Sequence, residues 1–244
     1  MTRGTTPAGV RAGDEAGAAR HVREMFGRVA PRYDLLNHLL SLQIDRYWRR
    51  VAVERVRPIV ARPGARLLDL CCGTGDLMAA LERVHGRPVF GVDFCRPMLA
   101  IAASKLGARA RLAEGDALAL PFPDASFDLV TVAFGLRNLA NYRHGLGEMR
   151  RLLRPGGVLA VLEFSQPPGA IFGPLYRFYF RRVLPRLGGA ISGAGPAYRY
   201  LQQSVEKFPS PEELSGLLRG GGFARVRHWL LTGGVAALHV AERD

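Results

Sequence analysis

The sequence predicts an α/β fold: a mostly parallel seven-stranded sheet with a reversed C-terminal hairpin and an N-terminal helical cap. Three observations predict it. From residue 65 onward, short apolar runs alternate with stretches of helical periodicity, as β-α units feeding a parallel sheet require. The run Leu67 to Leu70 breaks at Gly73-Thr-Gly75 before helical spacing resumes in Leu77, Met78, Ala80 and Leu81. Three strand ends carry an acid, Asp69, Asp93 and Asp116, in the register where open α/β sheets gather ligand-binding groups.

At 244 residues, 48% hydrophobic and 23% charged, the chain has the composition of one large globular domain with a full core. We divide it into a tail, 1–20, read as disordered, and a single domain, 21–244. That domain comprises a helical cap (21–64), a cofactor-binding core (65–167), a substrate-cap or membrane-facing insertion (168–210) and the completion of the sheet (211–244). No apolar run approaches the ~18 residues of a membrane span. The first twenty residues hold charges and no apolar h-region, which argues against a secretory signal and for a cytoplasmic protein. Cys71, Cys72 and Cys95 lack metal-ligand spacing and read as small buried apolar residues in a reducing compartment.

In the cap, Val22, Met25, Phe26 and Val29 recur as one helix face, and Pro31 interrupts. Tyr33, Leu36, Asn37, Leu40 and Ile44 follow at helical spacing, with Tyr33 and Asn37 as i,i+4 neighbours. Asp45 is the expected N-cap of a further helix through Tyr47, Trp48, Val51 and Val56, closed by Pro58 and Pro63-Gly64. A Tyr on an apolar helix face also suits plain core packing. Strand 88–93, a helix near 96–105, strand 110–114, strand 129–134, helix 142–153 and strand 158–163 continue the alternation. Arg154-Pro-Gly-Gly157 is the expected turn before the last of these. Helix 211–219 and strands near 223–231 and 235–242 finish the sheet. Between them, 171–191 is aromatic and arginine-rich, which fits an interfacial amphipathic helix, the mouth of an apolar pocket, or a core helix with solvated arginines.

The glycine turn discriminates between cofactors. A dinucleotide fingerprint counted from Gly73 needs a third glycine where Met78 stands, so it fails. An acid at a strand end before a single Gly-x-Gly instead suits a cofactor with an amino-acid tail, such as S-adenosylmethionine (SAM). Asp69 would attract the tail's ammonium, directly or through water, and Gly73 and Gly75 would let backbone N–H groups approach it. Asp93, 24 positions on from Asp69, would accept from both ribose hydroxyls, and Asp116 from an adenine amino group. No metal is implied.

The net charge is +13, and all but Lys105 and Lys207 of the 34 basic residues are arginine. Counted along the chain, residues 1–64 carry an excess of +6, 65–167 of +2 and 168–244 of +5. The excess flanks the presumed cofactor core and favours an anionic partner, either nucleic acid or a lipid face.

With three strand-end acids and this turn, the chain resembles class I SAM-dependent methyltransferases of Rossmann-like fold. More narrowly, it is similar to the UbiE/MenG family, C-methyltransferases of menaquinone and ubiquinone biosynthesis. The stretches that carry the likeness span residues 22–240. They include Tyr33-Asp-x-x-Asn37, Leu120-Pro-Phe-Pro-Asp124, Phe134-Gly-Leu-Arg-Asn138, Leu162-Glu-Phe-Ser165, Ala197-Tyr-Arg-Tyr-Leu201 and Leu231 to His239. The resemblance implies that Thr74, Asp93 and the pair Asp116-Ala117 contact SAM. Ala133 stands where many members have serine, Gly27 replaces a usual Asp, and Cys71-Cys72 replaces a commoner small pair. The implied reaction methylates a ring carbon of a reduced, isoprenoid-tailed quinol, most simply demethylmenaquinol.

A phenol has pKa ~10, so such a site must favour the phenolate. Arg137 is the candidate oxyanion stabiliser. A water held by Arg137 and Asn138 is the candidate proton acceptor, and Tyr33 the group that orients the ring. Peripheral contact with an anionic inner-membrane face is expected for such a substrate, with homodimerisation left open. An RNA methyltransferase is disfavoured, because no Asp/Asn-Pro-Pro-aromatic motif or added RNA-binding domain is present, and no nucleic-acid partner is expected. The ubiquinol precursor, a small metabolite and a non-catalytic scaffold role are the remaining alternatives.

Overall fold

Leu67–Leu70 form β1, four residues buried on both faces, which a parallel strand covered by helices on either side demands. The computed structural model describes residues 4, 7, 10–11, 13–41, 43–169, 173–174, 182 and 195–244. Around β1 the sheet also holds β2 (Phe90–Asp93), β3 (Arg111–Glu114), β4 (Phe127–Ala133), β5 (Leu153–Phe164), β6 (Arg227–Leu231) and β7 (Ala236–Glu242). Their order is β3-β2-β1-β4-β5-β7-β6. β1 to β5 run parallel, and β7 is antiparallel to both β5 and β6. The seven strands and the reversed hairpin are therefore as the sequence predicts. The order reverses between β1 and β4, so a crevice opens at their C-terminal ends.

The cap consists of α1 (Glu15–Val29), a 3₁₀ turn at Ala30–Arg32, α2 (Tyr33–Leu40) and α3 (Ile44–Val60). Three expectations change here. The tail is not unstructured to residue 20, because Asp14 caps α1 by accepting from the Gly17 N–H at 2.7 Å. Asp45 is not an N-cap: Gln43 holds that position with φ 65°. Asp45 lies inside the first turn, where it accepts from Ser41 Oγ at 2.6 Å and from Arg49. Pro58 does not end α3, which runs to Val60 and closes on Arg57 through the Ala61 N–H. Proline in a last turn sacrifices only one helical bond.

Elsewhere α4 (Asp76–His85), α5 (Arg96–Leu106), α6 (Tyr142–Leu152), α7 (Gly195–Lys207) and α8 (Pro211–Gly220) flank the sheet. Ser210 and Glu213 start α8 with a reciprocal capping box. β5 begins at Leu153, earlier than expected, because Phe127 pairs with Leu153 before a register shift. β6 begins later than expected, at Arg227, with Phe223 making only an isolated bridge to Arg243. The arginine-aromatic stretch 171–191 lies outside the described residues except at 173, 174 and 182.

Apolar layers cover both sheet faces. Phe127, Met149, Leu152, Leu214 and Leu218 fill one, under α6 and α8. Val53, Val56, Leu77, Leu81 and Leu129 fill the other, under α3 and α4. Trp48, Phe134, Leu162 and Leu238 form a third cluster that ties α3 to the C-terminal hairpin. Trp48 also donates Nε1–H to Thr232 Oγ1 at 2.8 Å. Among the described residues no helix is long and apolar enough to cross a membrane.

Candidate active site

A cavity of about 320 Å³ opens at the β1/β4 crevice, at the lower end of the range for small-molecule sites. One wall is made by strand ends: Cys71, Gly73, Asp93, Phe94, Asp116 and Ala117. The facing wall comes from the cap and the loop after β4, with Phe26, Tyr33, Phe134 and Asn138.

The turn after β1 is held in left-handed backbone conformations, with φ 52° at Cys71, 54° at Gly73 and 82° at Gly75. Only glycine adopts these without penalty, so Cys71 stores strain at the cavity wall. Asp93 locks the turn: Oδ2 accepts from the Gly73 N–H at 2.9 Å and Oδ1 from the Cys95 N–H at 2.8 Å. The carboxylate also lines the cavity, where it can accept from a ribose hydroxyl. Burial raises the Asp93 pKa, against the backbone N–H bonds that favour its charge. Across β4, Gly135 is required by contact: a Cβ there would sit 2.3 Å from Cys71 Cβ.

Asp116 is exposed at the rim, its Oδ1 accepting from the Leu118 N–H at 2.9 Å, and Ala117 is buried beside it. The other three expected cofactor residues stand behind the wall. Asp69 is 2% exposed and accepts from Thr131 Oγ1 at 2.6 Å. Burial pushes its pKa up to about 7, against that hydrogen bond. Thr74 spends its hydroxyl on Asp34 Oδ1 at 2.5 Å. Gly75 starts α4, where a Cβ would press within 3.3 Å of Ala102 and Leu106. Gly73, the buried acid Asp93 and the apolar neighbours Phe94 and Met98 suit a nucleoside with an amino-acid tail.

On the facing wall, Tyr200 Oη donates to Asn138 Oδ1 at 3.1 Å. Arg137 is buried and absent from the wall. Its Nη1 donates to Glu163 Oε1 at 2.9 Å and to the Phe134 carbonyl, and its backbone N–H reaches Glu163 Oε2 at 3.2 Å. Its Nε is buried without a partner. Burial opposes the Arg137 charge, but Glu163 together with Tyr33 and Tyr200 outweighs it and the pKa is raised. Arg137, expected to stabilise the oxyanion and to hold a water with Asn138, is thus engaged through Nη1 in an ion pair with Glu163. Glu163, at the end of β5, has drawn the guanidinium inward. The Tyr33 pKa is raised by burial, which Arg137 and a hydrogen bond from Asn37 oppose.

Glu163, Tyr200, Asp34 and Lys105 were not singled out from the sequence. Glu163 carried a usable signal as a fourth acid at a strand end. Lys105 carried another as one of two lysines among 34 basic residues. Among the described residues no cluster of three or more His, Cys, Asp or Glu could hold a metal ion. The three cysteines are free, and burial pushes the Cys71 thiol well up.

Comparison with known proteins follows the same lines. The profile of the ubiE/COQ5 methyltransferase family matches residues 14–243. A demethylmenaquinone methyltransferase of Thermus thermophilus is 56% identical over 223 residues, 90% of this chain and 100% of that protein. The protein of the same name in Deinococcus radiodurans is 48% identical, covering 95% and 96%. A ubiquinone/menaquinone biosynthesis C-methyltransferase of Geotalea uraniireducens is 44% identical, covering 91% and 96%. Among solved structures, the cyclase SpnF superimposes with TM-score 0.70 at 18% identity, over 99% of this chain and 98% of that one. A SAM-dependent methyltransferase of Aquifex aeolicus does so with TM-score 0.58 at 18% identity, over 79% and 89%. These two likenesses speak for the fold.

Proposed function

Because the chain belongs to the ubiE/COQ5 methyltransferase family, we propose that it methylates a ring carbon of a reduced isoprenoid quinol, converting demethylmenaquinol to menaquinol. It is a SAM-dependent C-methyltransferase. The observation that supports the substrate reading is one cavity whose two walls divide the work. Gly73, Asp93, Asp116 and Ala117 stand on one side, Tyr33 and Asn138 on the other.

In this reading the strand-end wall binds SAM, with Asp93 taking the ribose hydroxyls and Asp116 the adenine amino group. Asp69, Thr74 and Gly75 act from behind by fixing the turn. SAM supplies an electrophilic methyl. With the hydroxyl deprotonated to a water, the ring carbon would take the methyl as the sulfur–methyl bond breaks. That carbon's own hydrogen would then leave as a proton and the oxygen would regain one, so that one proton is released in all and the ring is again a quinol. Asn138 would hold that water, oriented by Tyr200, while Tyr33 aligns the ring. Arg137 contributes through its field: a cation in a dry site stabilises a developing phenolate without touching it. The oxidised quinone, with no ionisable hydroxyl, does not react.

The lipid tail places the substrate in a bilayer. The arginine-rich flanks support peripheral contact with the anionic inner face of the membrane, the protein otherwise being cytoplasmic. The ubiquinol precursor is the alternative substrate, since some relatives are named for ubiquinone as well as menaquinone biosynthesis. The test is methyl transfer from radiolabelled SAM to reduced demethylmenaquinol and, in parallel, to a 2-polyprenyl-6-methoxy-benzoquinol. Label in the first alone is expected. Label in both would show a dual-role enzyme, and label in neither overturns the quinol reading.

A further inference from the structure

The cap is fastened to the cofactor turn by ionised side chains that the reaction itself does not use. Asp34, next to Tyr33 on α2, accepts from Thr74 Oγ1 at 2.5 Å and from Lys105 Nζ at 2.8 Å. Lys105, on α5, also donates to Asp76 Oδ1 at 2.6 Å. Asp76 begins α4, where its carboxylate complements the positive end of the helix. On its other oxygen Asp76 meets Arg49 of α3 at 3.7 Å, and Arg49 pairs with Asp45. Five elements (α2, α3, α4, α5 and the Gly73–Gly75 turn) thus meet in one network of alternating charge.

Chemistry explains the residue types. In a chain that otherwise uses arginine, the compact ammonium of a lysine bridges Asp34 and Asp76, with three donors on one atom. Burial works against the Lys105 charge, but its hydrogen bonds to the two carboxylates outweigh it and hold the pKa above the ordinary lysine range. The Lys105, Asp34 and Asp76 side chains remain about a quarter exposed, so the clasp can open into solvent.

We propose that Lys105 and Asp34 are positioning residues: they close α2 over the cofactor turn, set Tyr33 against the cavity, and retain SAM until methyl transfer is complete. Thr74 sits between Gly73 and Gly75, so whatever seats against this turn is felt by Asp34. This inference rests on the assignment of the cavity to SAM and goes beyond it by naming what governs the cofactor's residence.

The test uses the full chain and the variants Lys105→Met, Asp34→Asn and their double. Two readouts are taken: SAM dissociation by stopped flow, and backbone hydrogen exchange of Tyr33–Leu40 with and without SAM. Each single variant is expected to release SAM about five-fold faster, in line with a partly exposed ion-pair network. Exchange in α2 should rise by a similar factor while α4 and α5 keep their protection. The double variant should be no worse than either single, since both break one clasp. Multiplied effects in the double, unchanged exchange in α2, or loss of protection throughout would each overturn the proposal. Wild-type protein that fails to bind SAM would instead overturn the cavity assignment. Failure to methylate any quinol, with SAM binding intact, would overturn only the substrate reading.

Discussion

Asp93 serves two purposes, and one substitution can separate them. Its carboxylate shapes the turn through the Gly73 N–H and faces the cavity where a ribose would lie. Asp93→Asn keeps the size but loses one acceptor oxygen and the charge. Hydrogen bonds to a charged group are worth ~1.5–3 kcal/mol, so SAM affinity should fall about ten- to hundred-fold by calorimetry, with the fold retained by circular dichroism. Affinity within two-fold of wild type would remove Asp93 from the ribose site. At the same scale, the ion-pair partner of Arg137 was not legible in the sequence. A cationic residue beside Asn138 at a strand end looks like a substrate contact, and nothing local reveals that Glu163, 26 positions later, claims it.

At the scale of elements, periodicity located the strands and the core helices, although β5 starts five residues before the expected position, so that the expected turn Arg154–Gly157 is strand, and β6 starts four residues after. Burial on both faces of β1 and alternation along the chain are strong signals. Strand pairing sets those two starts; the other misses fall where a single side chain decides a boundary. Asp14 starts α1 inside the presumed tail, Gln43 rather than Asp45 precedes α3, and Pro58 is absorbed in a last turn. In the site, Gly73, Asp93 and Asp116 reach the cavity wall, whereas Asp69 and Gly75, expected beside them, stand behind it; spacing along the chain shows a strand end but not which side chain faces the crevice. The clasp was not legible, because Asp34, Thr74 and Lys105 are brought together only by tertiary packing. The same packing links α3 to the distant hairpin through Trp48 Nε1–H and Thr232 Oγ1. Trp48→Phe should lower unfolding free energy by ~1–2 kcal/mol in denaturant titrations and leave SAM affinity unchanged. A change in SAM affinity instead would mean that α3 orients the cavity as well as supporting it.

For the whole molecule, two buried groups on different sides of the sheet give stability opposite dependences on pH. His239 is 1% exposed, donates from Nε2 to the Pro211 carbonyl at 2.9 Å, and is pulled down to about pKa 4 by burial. The unfolded chain therefore binds more protons between about pH 4 and pH 6.5, and the His239 contribution rises with pH across that window. Asp69 stands at about 7 when folded, so between about pH 4 and pH 7 the folded chain binds more protons and its contribution falls as pH rises. Asp93, also raised, adds to the second trend. Each of the larger shifts corresponds to ~3–4 kcal/mol. Chemical denaturation of His239→Gln should show stability falling more steeply from pH 4 to 6.5 than in wild type. Asp69→Asn should show it rising. Identical slopes in all three proteins would contradict this balance. The near-absence of lysine has a practical corollary. Besides the N-terminal amine, only Lys105 and the exposed Lys207 can react with an amine-selective acylating reagent. An ammonium gripped by two carboxylates is a poor nucleophile, so acylation at Lys105 relative to Lys207 is a built-in gauge of how often the enzyme stands open.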